Sequence, residues 1–425
     1  MPTGVTRGRI AILRAVAEPV WVASIIHLTD MHLHLDDRGE YNLDYSDHIE
    51  LMMRMAYKFD SVRWRSLFKG LSEHIPDALR HLQRRLHAVI AKERQRAVDM
   101  HGAEAGAKVP IVVLQTGDVE AYGARPRPRP PGGFDFLGWD YLDKTLAPIL
   151  TKADPNGANG WVDVFGNHDA WASAYPLTEW RAHRRVMKAM SEEVPGRLGP
   201  AQPSRFSQDW ELAGGRRLEV FRASSVPADW LSGVRARGEL TPHPLGDSLP
   251  LTQGGDALAE LEACVAAARV AKPRAVRILA LHHPVHAFDA SRLKELATAG
   301  FAGRDDLAHF AGRVPFPLVI AGHRHKLDPA EDARYDATTL NQFPLPSGVG
   351  QLVAESPTMH PVAFDNVRPA EEVVNSFSLY RLLLDDERGR LEVRRTVFRR
   401  EHDLTAQPFR AEAEDEPVLT NLRIE

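Results

Sequence analysis

The stretch VWVASIIHLTDMH, residues 20–32, decides how the rest of the chain is read. It begins with a mostly apolar, β-branched run, too short for a helix and suited to a buried strand. The run stops abruptly at Asp30 and His32, side chains of the kind that ligate metals. The same grammar recurs four more times. VPIVVLQTGD runs from Val109 into Asp118, and GWVDVFGNHD from Gly160 into Asn167, His168 and Asp169. AVRILALHHP runs from Ala275 into His282 and His283, and FPLVIAGHRH from Phe316 into His323 and His325. Functional residues in α/β sheets gather outside the carboxyl ends of the strands, so these five ends are expected to meet at one place.

Helical patterns lie between the strands. From Pro76, residues Leu79, Leu82, Leu86, Val89 and Ile90 recur at helical spacing, with Pro76 in the first turn. ALAELEACVAAARV, which follows Asp256, reads as a second helix with Cys264 on or near its buried face. RFSQDWELAGGRRLEVFRAS (205–224) and SFSLYRLLLDDERGRLEVRRTVFR (376–399) read as hairpins turning at Gly214–Gly215 and near Gly389. Residues 34–108 form a helical insertion whose Met-rich segment HIELMMRMAYKF is either helix core or the lining of a cap. YGARPRPRPPGG (122–133) is extended, and its alternating Arg125, Arg127 and Arg129 make either a solvated loop or a basic lip for an anionic substrate. One domain over 1–400 and a polar tail over 401–425 are expected.

Composition narrows the classes. Of 425 residues 44% are hydrophobic, enough for a sizeable core. A net charge of −4 lacks the basic footprint of a dedicated nucleic-acid binder, so nucleic acid is not expected as a partner. The single cysteine rules out an intramolecular disulfide and a cysteine-based zinc site. No apolar run approaches the ~20 residues of a membrane span, so no membrane partner is expected. Arg7, Arg9 and Arg14 interrupt any signal-peptide pattern, and a cytoplasmic location is the expectation.

The candidate ligands are Asp30, His32, Asp118, Asn167, His168, His282, His283, His323 and His325. Residues two apart on an extended segment face the same side, which suits both Asp30 with His32 and His323 with His325. Mixed carboxylates and imidazoles favour Mn, Fe, Zn, Co or Ni over Ca or Mg. The set exceeds what one tetrahedral ion needs, and two ions sharing a carboxylate fit it better.

In this order the motifs Asp30-Met31-His32, Gly117-Asp118, Gly166-Asn167-His168-Asp169, His282 and Gly322-His323-Arg324-His325 resemble those of the calcineurin-like metallophosphoesterases. The resemblance implies an α/β fold, a four-layer α/β/β/α sandwich with two divalent transition-metal ions at the sheet ends. Carried over by position, it implies that Asp30, His32 and His325 bind one ion. Asn167, His282 and His323 bind the other, and Asp118 bridges the two. His282, the first of the histidine pair, takes the ligand position, which leaves His283 as a supporting or packing residue. His168 is implied as an electrostatic stabiliser or general acid, with Asp169 orienting it. A hydroxide bridging the metals would then attack phosphorus.

Departures from other branches refine this expectation. Position 121 is alanine and Tyr122 lies one step late for the iron-binding tyrosine of purple acid phosphatases. Thr29-Asp30-Met31-His32-Leu33 lacks the glycine-flanked form of the protein phosphatases and looks more like the bacterial phosphodiesterase branch. The expected activity is therefore hydrolysis of a small phosphodiester, with cyclic nucleotides as one candidate. The alternatives are a monoesterase, a nucleotide pyrophosphatase or a nuclease of the same fold, and a non-catalytic interaction module.

Overall fold

A computed structural model describes residues 19–33, 61–120, 125–126, 134–152, 154, 157–166, 168–169, 207–212, 215–223, 225, 238–239, 257–283, 301–302, 316–323, 350–354, 356–358, 375–400 and 408–424. In chain order the main elements are β1 (Val20–Leu28), α1 (Ser61–His101), β2 (Ile111–Gln115), β3 (Gly160–Asp163), β4 (Ser207–Glu211), β5 (Arg217–Arg222) and α2 (Ala257–Ala271). They continue with β6 (Ala275–Ala280), β7 (Leu318–Ala321), β8 (Gly350–Val353), β9 (Asn375–Asp385), β10 (Arg390–Arg400) and β11 (Arg410–Arg423). All five strands expected to carry ligands are present.

The described residues are mixed α/β, built around two mixed sheets. One has the order β11-β10-β9-β1-β2-β3 and the other β8-β7-β6-β5-β4. β1, β2 and β3 run parallel, as do β5, β6, β7 and β8. Antiparallel strands flank each parallel set, β9–β11 in the first sheet and β4 in the second.

Alternation explains why the parallel strands read as mostly apolar runs. Ile26, Leu28, Ile111 and Val113 face α1, packing with its Leu79, Leu82, Leu86, Val89 and Ile90. Ile25, Val112 and Leu114 point the other way, into a core shared with Leu218, Val220, Val276, Ile278 and Ile320 of the second sheet. A strand buried on both faces leaves few polar positions to alternate.

Helix α1 is also held by charge. Arg381 of β9 donates from Nε and Nη2 to the two Glu93 carboxylate oxygens at 2.9 and 2.7 Å, and Ser24 Oγ donates to Glu93 at 2.8 Å. Arg381 also reaches Asp415 of β11 at 2.7 Å. Breaking a buried pair of this kind from one side leaves an uncompensated charge and costs about 3–5 kcal/mol.

Two sequence expectations differ from the structure here. The helix expected from Pro76 begins at Ser61, so Pro76 lies inside it; proline removes one helix hydrogen bond but keeps a helical φ. The expected polar tail from residue 401 contains β11 instead. Its Val418, Leu419 and Leu422, with Ile424, join the inter-sheet core, while Glu412, Glu416 and Arg423 are exposed. One apolar face is enough for an edge strand, and the charges that disguise it as a tail also blunt the edge. Residues 34–60, including the Met-rich segment and His34, lie outside the described residues.

His27 lies within β1 and is fully buried. Its Nε2 meets Thr116 Oγ1 at 2.8 Å and its Nδ1 the Tyr380 hydroxyl at 3.4 Å. Burial lowers its pKa from 6.5 to about 3, against a smaller upward pull from Asp30. Between those values the unfolded chain binds a proton that the folded protein refuses, so stability rises with pH. His27 therefore contributes fully above about pH 6.5, and that contribution is lost as pH falls towards 3. Unfolding free energy should drop by on the order of 1 kcal/mol per pH unit across this window. His27→Gln should flatten the slope in denaturant titrations; unchanged slopes would place the acid lability elsewhere.

Candidate metal centre

The loops that leave the parallel strands are stitched together by backbone bonds. Beyond β1 and β2 the pairing continues, Asp30 N–H to Gly117 O at 2.9 Å and His32 N–H to Asp118 O at 2.9 Å. The second sheet is tied in by His323 N–H donating to Asp30 Oδ2 at 2.8 Å and by His282 Nδ1–H donating to Thr116 O at 2.7 Å. A side chain at Gly166 would collide with Asp118 Oδ1, and one at Gly322 with Thr29 Oγ1. These two motif glycines thus let the strand ends approach. Among the described residues five non-glycine positions have positive φ, and four of them are candidate ligands: Asp30 (51°), His32 (46°), Asp118 (53°) and His323 (77°). Such backbone costs on the order of 1–3 kcal/mol per residue and gathers where a site over-determines it.

Asp118 is central to the cluster. Its Oδ1 accepts the His168 N–H at 2.8 Å. Its Oδ2 is buried. Around Oδ2 stand three imidazole nitrogens, His282 Nε2 at 3.2 Å and the Nε2 atoms of His32 and His168 at 3.9 Å each. His323 Nδ1 lies 3.2 Å from His282 Nε2. Donor atoms each about 2.0–2.1 Å from one ion stand roughly 3–4 Å apart, so this spacing fits shared metal coordination. The residues present therefore suit divalent transition metals.

Electrostatics agree with a site built around cations. Burial alone would raise Asp118, but His282, His168 and His32 hold its carboxyl well below the usual range. Burial alone would lower His282, yet Asp118, Asp30 and the Thr116 carbonyl lift it to about 9. Without an ion the cluster thus keeps a proton, which metal binding would release. His283 is held well below its ordinary value by burial and by His323 and His282.

The structure brings together Asp30, His32, Asp118, His168, His282 and His323, six of the sequence-derived site residues, with His283 beside them. Asn167 and His325 lie outside the described residues. So do Arg127 and Arg129; Arg125 lies in a two-residue strand paired with Phe134–Asp135. Asp169 differs from its expected role of orienting His168. Its carboxylate accepts the N–H groups of Asp118 at 2.9 Å, Gly166 at 2.8 Å and Glu120 at 2.8 Å. These fixed backbone donors occupy it, so it locks the β2 and β3 loops together and thereby places Asp118. Burial and the neighbouring Asp118 charge raise Asp169 to about 7, with the Glu120 and Gly166 N–H groups opposing.

Supporting residues escaped the sequence reading. Thr29 Oγ1 donates to Asp30 Oδ2 at 2.6 Å, and Thr116 supplies the carbonyl that fixes His282. Glu120, buried and raised well above its usual range by burial and by Asp169, accepts the Gly138 N–H at 2.8 Å. A threonine stands shortly before the aspartate in both LTD and QTGD, a signal that could have found the threonines. Nothing comparable marks Ser225, whose Oγ lies 2.9 Å from His283 Nδ1.

A cavity of about 920 Å³ lies elsewhere, lined by Lys108, Gly157, Trp210 and Arg217 near the N-terminal ends of β2, β3 and β5. Four of its charges form two pairs, Lys108 with Glu104 and Arg217 with Asp209. No helix among the described residues is long and apolar enough to cross a membrane. Comparison of the chain with protein-family models and with curated proteins finds no match.

Proposed function

We propose that this chain is a phosphoesterase of the calcineurin-like metallophosphoesterase type, using two divalent transition-metal ions to hydrolyse small phosphodiesters. The observation that carries the reading is the buried Asp118 Oδ2, ringed by three imidazole nitrogens. Two mixed sheets with a common core, and α1 on the outer face of the first, are consistent with the four-layer sandwich this type implies.

One ion would be held by Asp30, His32 and His325 and the other by Asn167, His282 and His323, with Asp118 between them. When bound, the pair supplies Lewis acidity towards the phosphoryl oxygens and a water acidic enough to attack phosphorus. The chain's own groups set the geometry. The Nδ1–H bond to Thr116 leaves the His282 Nε2 lone pair for coordination. Thr29 and the His323 N–H orient Asp30. His168 stacks edge-on against His32, ring centroids 4.4 Å apart, with its Nε2 beside Asp118. From there it can donate a proton to the leaving oxygen or a hydrogen bond to a phosphoryl oxygen.

A diester carries one negative charge where a monoester carries nearly two, so a site tuned to diesters need not accommodate the second. In Mn-loaded protein kcat/KM should be higher for an aryl phosphodiester than for the matching monoester. Rates favouring the monoester tenfold or more would replace the diesterase reading with a monoesterase.

A further inference from the structure

His283 has no role in the ligand set above, yet its surroundings suit one. The ring is fully buried. Its centroid lies 4.7 Å from that of His282 and 4.3 Å from that of His323. One nitrogen from each of the three rings lies within 4.8 Å of the other two. Ser225, just beyond β5, meets His283 Nδ1 at 2.9 Å, and its Oγ accepts the His283 backbone N–H at 3.0 Å. Nε2 is buried and has no hydrogen-bond partner among the described residues.

Among the described residues an imidazole buried only for packing would leave this nitrogen unsatisfied, at a cost of about 1–3 kcal/mol, where an apolar side chain would not. A neighbouring ion removes the cost. His282 and His323 already present nitrogens 3.2 Å apart, the spacing of two donors on one ion. We propose that His283 is a further metal ligand, completing with His282 and His323 a three-imidazole face on one side of Asp118. The proposal rests on the dinuclear reading of the site. Ser225 then acts as a positioning residue. Its hydroxyl oxygen has two lone pairs, one for the backbone N–H and one for Nδ1–H, and this tautomer leaves Nε2 free to coordinate. Three nitrogen donors favour a borderline ion such as Zn, Co or Ni over Mn or Mg. The two ions would therefore differ in kind, the softer one lying on the His282–His283–His323 face.

Titration of the full-length protein with Co(II), followed by calorimetry and visible absorption, tests this. The wild type should take up two ions with distinguishable spectra. His283→Ala should weaken one of them by about 10²-fold or more and alter its absorption, leaving the other unchanged. His283→Gln, which keeps a donor atom near the Nε2 position, should fall between. Ser225→Ala keeps the ligand and should weaken the same ion about tenfold, within the 10–100-fold range for an outer-shell partner; it decides the question if His283→Ala does not fold. Wild-type affinity and spectrum in a folded His283→Ala, or in Ser225→Ala when that variant must decide, would overturn the proposal while leaving the dinuclear reading intact. A wild type that binds no ion would overturn both.

Discussion

Asp118→Ala should empty both metal positions at once. Asp118 Oδ2 has His282 Nε2 on one side and His32 Nε2 on another, and these belong to different ions in the proposed ligand set. Its Oδ1 also holds the His168 backbone. Removing the carboxylate leaves several buried imidazoles facing one another without the anion that balances them. Loss of an outer-shell partner lowers affinity by about 10–100-fold, and loss of a shared inner carboxylate should exceed that at both sites. His282→Ala should instead affect mainly one ion. Equilibrium dialysis with elemental analysis measures this directly. An Asp118→Ala protein that still holds two tightly bound ions would show that the carboxylate bridges nothing.

His168→Ala should separate chemistry from coordination. The imidazole packs against His32 and stands 3.9 Å from Asp118 Oδ2, so position alone would also admit it as a ligand. The proposed role is proton donation to the leaving oxygen. The variant should keep both ions while turnover falls by about 10²–10⁴, the usual worth of a general acid. The loss should shrink for substrates with acidic leaving groups, which depart without protonation. An equal loss for good and poor leaving groups would leave only electrostatic stabilisation, and loss of an ion would make His168 a ligand.

Much of the fold was legible because buried parallel strands advertise themselves. β1, β2, β3, β6 and β7 are short β-branched runs with both faces covered, and each ends where ligand-type residues begin. The apolar spacing of α1 from Leu79 to Ile90 was equally plain. β11 was not legible, because Glu412, Asp415 and Glu416 interrupt it and its buried face is confined to a few residues near Leu419. Ligand candidates were readable from residue type and position, whereas their supports were not. Asp169 sits next to His168 in sequence but bonds to backbone groups up to 51 residues away. Ser225 meets His283 across 58 residues of chain, a contact that only the parallel pairing of β5 with β6 creates.

The central claim, a phosphoesterase that depends on two metal ions, is tested most directly by one coupled measurement. The metal content of the purified protein and its hydrolysis of an aryl phosphodiester are followed together through chelation and reloading with Mn. The account predicts two ions per chain when loaded, activity that disappears as they are removed, and recovery as they return. Full activity in protein shown by elemental analysis to contain no metal would contradict it.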